Sequence, residues 1–61
     1  MANLTSKELT ALGDQLNFEQ ILVAKYRSMA SGCCDANLKN KFENIANTHQ
    51  QHFNTMKNFL N

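Results

Sequence analysis

Apolar residues recur along this chain at steps of three and four, the repeat of a helix, with one interruption just past the middle. At roughly 100° per residue, the first stretch places Leu9, Leu12, Leu16, Phe18, Leu22, Val23, Tyr26, Met29 and Ala30 on one half of a helical surface. Asp14, Asn17, Lys25 and Ser28 lie opposite, with Ile21 as the exception. The second stretch groups Leu38, Phe42, Ile45, Phe53, Met56, Phe59 and Leu60, while Glu43, Asn47, Gln50, Asn54 and Asn58 face away. Proline is absent and glycine occurs twice, which favours long helices over short strands.

The helix ends are written locally. Thr5 followed by Glu8 is a capping box, and Leu4 and Leu9 flank it as a hydrophobic staple. Glu8 is therefore assigned to structure and not to chemistry. Gly32 is placed to stop the first helix in the left-handed conformation that helix ends favour. Asp35 is the expected N-cap of the second helix. Gly13 costs about 1 kcal/mol relative to alanine inside a helix, but the capping signal at Thr5 favours one continuous helix over a start at Asp14. The expectation is an all-α, single helical-hairpin domain over residues 1–61: helix one at about 6–31, a linker at 32–35, helix two at about 36–60. The linker "GCCD" is so short that the two helices must be antiparallel neighbours.

Each apolar arc spans about half a helix, wider than one partner helix can cover. Two hairpins pairing as a homodimer, in a four-helix bundle, would bury both arcs. Length points the same way. A chain of 61 residues buries a marginal core by itself and commonly needs a partner, a metal or a disulfide.

Three polar residues break the apolar pattern. Glu19 lies between Leu12, Val23 and Tyr26, and His49 and His52 fall within the stripe of the second helix. With the bend near Cys33 and Cys34, positions whose numbers sum to about 67 share a height, by the antiparallel geometry of a hairpin. Glu19 then comes level with Thr48 and His49. One inward carboxylate and two inward imidazoles at one level admit three readings. The first is a structural bundle whose polar core residues form a hydrogen-bonded network. The second is a transition-metal site with Glu19, His49 and His52 as ligands, taking iron, zinc or, through the carboxylate, manganese. The third is a redox enzyme built on that metal, which needs an open coordination position. The structural reading comes first. Tyr26, Phe53, Met29 and Met56 are assigned to packing.

Composition narrows the alternatives. Six basic and five acidic residues give a net charge of +1 without a basic patch, so no nucleic-acid partner is expected. No apolar run approaches the ~20 residues of a membrane span, and the start "MANLTSKELTAL" is polar and capped, unlike a signal peptide. A cytoplasmic location without membrane contact is the expectation. Adjacent Cys33 and Cys34 read as two reduced thiols at the linker, since a disulfide between neighbours strains the peptide. No nucleophile stands beside an evident base, so no hydrolase is indicated.

Glu19, with Tyr26 seven residues on and a histidine on the next helix, looks like half of a ferritin-like bundle. The segment from Asp14 to about Met56, "DQLNFEQILVAKYRSMASGCCDANLKNKFENIANTHQQHFNTM", resembles the spore coat protein F family of Gram-positive spore formers. That resemblance implies a ferritin-like helical fold, a spore-coat or sporulation association, and other coat proteins as partners. Di-iron ferritin-like proteins carry Glu-x-x-His on the second helix. Here Ala46 stands three before His49, and His49 stands three before His52. The resemblance thus carries over Glu19, His49 and His52, with Tyr26 as a neighbour, but not a metal-bridging carboxylate.

Overall fold

In the computed structural model, which describes residues 3–60, the chain is an antiparallel hairpin of two helices packed along their length. Helix α1 runs Ser6–Ser31 and α2 runs Ala36–Lys57, followed by a 3₁₀ turn at Asn58–Leu60. The capping box forms as expected. The Glu8 amide donates to Thr5 Oγ1 at 3.1 Å, and the Thr5 amide donates to Glu8 Oε1 at 3.0 Å. These bonds satisfy amides that the first turn of a helix would otherwise leave open. Asp35 caps α2 by accepting from the Leu38 amide at 2.9 Å. The helix runs unbroken through Gly13, where an added Cβ would meet nothing within 4 Å.

The end of α1 differs from expectation. Gly32 sits at φ −87°, ψ 0°, not in the left-handed region. Its amide still donates to the Ser28 carbonyl at 3.2 Å, and the Cys33 amide donates to the Ala30 carbonyl at 3.1 Å. That second bond, spanning three residues, tightens the last turn in 3₁₀ fashion. The chain reverses without any positive-φ residue among those described. Cys33 and Cys34 are free thiols. No helix among the described residues is long and apolar enough to cross a membrane.

Packing between the helices is close but thin. Ala46 has no exposed surface, Ala30 3% and Val23 7%, and no large side chain is fully buried among the described residues. Small side chains at the contact let the two backbones approach, and the larger apolar groups splay to either side. The hairpin measures 46 × 16 × 11 Å, with a radius of gyration of 14.3 Å. A compact chain of this length would have about 10.5 Å. Its accessible surface is 4620 Å², against roughly 4000 Å² for a compact monomer of the same mass.

That surplus surface is not spread evenly. Gln15, Phe18, Leu22, Tyr26 and Met29 follow one another on α1 at helical steps, and so do Leu38, Ile45, His52 and Met56 on α2. Gln15 and Glu19 border a shallow recess together with His52, Thr55 and Met56, so both strips flank the same face of the hairpin. Phe18 is 53% exposed there, and Leu38 45%. Away from that face, one groove is bordered by Arg27, Ala30, Ser31, Lys39, Glu43 and Asn47, and another by Leu16, Phe53 and Leu60 together with Asn17, Gln20 and Lys57. Asn40, Asn44, Asn47, Gln51, Asn54 and Asn58 form an exposed amide stripe along the outer side of α2. One broad face is thus apolar and the outer side of α2 polar, while Ile21, 62% exposed, stands away from both.

Candidate metal centre

The expected trio assembles on the apolar face, half-way along the hairpin. Glu19 is 5% exposed, the one charged residue that the hairpin buries among those described. His49 comes from the facing helix, and its Nδ1 lies 2.7 Å from Glu19 Oε2. On the other carboxylate oxygen, Gln15 Nε2 donates to Oε1 at 3.1 Å. Gln15 stands one helical turn before Glu19, a spacing that brings side chains into contact on a helix. It was not singled out from sequence, although that four-residue spacing was legible.

His52 meets the same oxygen less closely. Its Nδ1 lies 3.6 Å from Glu19 Oε2, beyond hydrogen-bond range, and 53% of its side chain is exposed, against 22% for His49. The expectation that both imidazoles point inward therefore holds for His49. His52 stands on the rim of the hairpin, because it lies one turn nearer the open end and further round α2 from the contact with α1. The two rings meet edge to face, with centroids 5.6 Å apart. Tyr26 stacks on His49 at 6.1 Å with planes only 12° apart, which holds the imidazole in place. Tyr26 is thus a packing neighbour, as expected.

The electrostatics of Glu19 reflect opposing causes. Burial raises its pKa by penalising the charged form. The hydrogen bonds from His49 and Gln15 lower it, as does the positive charge His49 and His52 carry when protonated, and the balance falls below the ordinary value of 4.5. Glu19 is therefore ionised at neutral pH. An ionised carboxylate only accepts hydrogen bonds, so the 2.7 Å contact assigns the proton of a neutral His49 to Nδ1. No buried side-chain polar atom among the described residues lacks a partner. The network is self-sufficient as a structural element.

The same atoms also suit a cation. One ligand atom from each of Glu19, His49 and His52 lies within 4.8 Å of the others. Two ligands bound to tetrahedral zinc at about 2.1 Å sit about 3.4 Å apart. The 2.7 Å and 3.6 Å separations bracket that value, so the three ligand atoms, all within 4.8 Å of one another, could surround one ion once the His49 proton leaves Nδ1. Two imidazoles with one carboxylate form a borderline donor set that fits zinc or iron better than magnesium or calcium. Three protein ligands would leave a fourth position open, and Glu19 and His52 border the recess that Gln15, Thr55 and Met56 also line. No protein-family model, no curated protein and no solved structure matches this chain.

Proposed function

We propose that this chain is a helical assembly module, two copies of which pair through their apolar faces into a ferritin-like four-helix bundle. The observation that carries the reading is the unpartnered apolar surface: Phe18, Met29, Leu38 and Ile45 are each more than a third exposed. Leaving such groups in water costs about 25 cal/mol for each Å², and a two-helix hairpin has no further layer of its own to cover them. The Glu19–His49–Gln15 network would then serve as a register pin, since a buried carboxylate tolerates only the alignment that keeps its partners. Sedimentation equilibrium at micromolar concentration tests the proposal. A mass of twice the chain supports it, and a folded monomer at every concentration removes it.

The resemblance of Asp14 to Met56 to spore coat protein F proteins supports placing this bundle in a spore coat, with other coat proteins as partners. Antibody detection on purified spores, if the source organism forms them, tests that placement. A protein confined to growing cells would end it.

A second reading has its own observation. The cluster of Glu19, His49 and His52 supports binding of a transition metal such as iron, zinc or manganese, and no enzymatic step is proposed. Elemental analysis of protein purified without added metal, paired with melting curves before and after chelation, decides it. Stoichiometric metal whose removal lowers the melting temperature supports this reading. A chelator-insensitive, metal-free protein leaves the network purely structural. Metal ligands must be deprotonated, so metal affinity should fall with acid.

A further inference from the structure

We infer that Cys33 and Cys34 together chelate a soft, thiophilic metal ion, monovalent copper, at the closed end of the hairpin. This dithiol site is separate from the Glu19 trio and requires neither the imidazoles nor a second copy of the chain.

The two thiols are poorly placed to pair with each other, yet both are available. A disulfide takes Cα atoms about 4.4–6.8 Å apart, whereas neighbouring residues hold theirs at about 3.8 Å. Both cysteines are free, Cys34 exposed and Cys33 partly buried. An ion relaxes the constraint. With metal–sulfur bonds of about 2.3 Å, the value for zinc thiolates, two sulfurs on opposite sides of one ion stand up to about 4.6 Å apart. In a disulfide they are held at about 2.05 Å. Side chains leaving neighbouring Cα atoms reach the wider spacing with far less strain on the ring.

The linker also holds the pair in place. Upstream, the Cys33 amide donates to the Ala30 carbonyl at 3.1 Å. Downstream, Asp35 is fixed twice. Its carboxylate accepts from the Leu38 amide at 2.9 Å, and its carbonyl accepts from the Lys39 amide at 2.9 Å. The same carbonyl accepts a weak bond from Cys33 Sγ at 3.5 Å, so the Cys33 sulfur reaches forward across Cys34 and not back over α1. A carbonyl holds a thiol only weakly, and a metal ion that deprotonates the thiol displaces it. Two helix ends thus fix the short segment that carries both donors, and chelation has little chain left to order.

The donor set selects the ion. Two thiolates are soft and favour monovalent copper, whereas imidazoles with a carboxylate are borderline. A closed-shell monovalent ion accepts two ligands, so a dithiol suffices. On binding, both thiols release their protons to solvent and two copper–sulfur bonds form. The copper stays monovalent throughout, so the step needs no oxidant or reductant. Glu19 lies about 20 Å away along α1, at ~1.5 Å per residue, so the two sites are told apart by ion and by variant.

The test is an anaerobic titration of the reduced chain with Cu⁺ supplied as its coloured bicinchoninate complex, which bleaches as copper passes to the protein. It is run on the native chain, Cys33→Ser, Cys34→Ser and the double variant, with circular dichroism to verify the helices. The native chain should take one Cu⁺ per chain and gain ultraviolet thiolate-to-copper absorption. Each single variant should bind at least about tenfold more weakly, because the second thiol acts at high effective concentration, and the double variant should gain no such absorption. Phenylarsine oxide gives a second measure that needs no variant. One arsenic bonds to both sulfurs, and the two thiol protons leave with its oxygen as water. That adduct on the native chain should survive excess monothiol and yield to a dithiol. Failure of Cu⁺ to pass from bicinchoninate to the native chain overturns the site, as does an arsenical adduct that a monothiol removes. Equal binding by the native chain and either single variant overturns the chelate. One copper per two chains overturns it too, placing the ion between the linkers of two copies. Uptake unchanged in the double variant overturns it and assigns the copper to the histidines.

Discussion

Replacing Phe18 with serine separates the apolar face from the contact that holds the hairpin together. Phe18 is 53% exposed in the hairpin, and an aromatic side chain offers roughly 200 Å² for burial. About 100 Å² thus remains for a second copy to cover, worth about 2.5 kcal/mol per chain at ~25 cal/mol for each Å². Two copies double that, to about 5 kcal/mol per dimer, if the pairing covers the ring completely. Coverage of less than half leaves about 2 kcal/mol. The dimer should therefore weaken by a factor between roughly 30 and 5,000. Serine and phenylalanine have similar helix propensities, so α1 itself is not penalised. Sedimentation equilibrium of the native chain, Phe18→Ser and the control Asn44→Ser measures this directly. Asn44 lies on the amide stripe, so its replacement should leave the dimer unchanged. An unchanged dimer in Phe18→Ser, or an equal loss in Asn44→Ser, would refute the assignment of the interface to this face.

Glu19→Gln should lower the urea midpoint near neutral pH, and the gap to the native chain should narrow with acid. The folded pKa of Glu19 is lowered, so the carboxylate's contribution is fully present above the ordinary value of 4.5 and is lost as pH falls through the lower folded value. A gap that widens between about pH 5 and pH 3 would contradict this. Ala46→Leu should destabilise the hairpin by roughly 1–3 kcal/mol, because Ala46 has no exposed surface and a larger group must push the helices apart. A neutral result in thermal melting would mean the contact is looser than it looks. Thr5→Ala should cost about 1 kcal/mol through loss of the cap, with reduced helicity at the start of α1 by circular dichroism. Cys33→Ser with Cys34→Ser should leave fold and assembly intact, since both thiols are free in the linker. A dimer lost only in that double variant, under non-reducing conditions, would reveal an intermolecular disulfide.

The helix limits were legible in the residues because capping is local. Thr5 with Glu8, and Asp35 ahead of Leu38, satisfy the first amides of each helix whatever the rest of the chain does. The meeting of Glu19 with His49 was also legible, since a four-residue linker leaves an antiparallel hairpin only one register and heights then follow by counting. Three features needed the packed helices. The conformation of Gly32 depends on how the last turn hands its hydrogen bonds to Cys33, which residue type does not dictate. The stance of His52 depends on where the line of contact falls across an arc wider than that contact. Hydrophobic periodicity gives the arc, but only the partner helix divides it into a covered half and an open one. Ala46 was passed over in favour of Phe42, Ile45 and Phe53, yet it is the most buried residue of α2. Patterns weight residues by the apolar surface they carry, whereas two closely approaching helices place their smallest side chains at the point of contact and turn the larger ones outward.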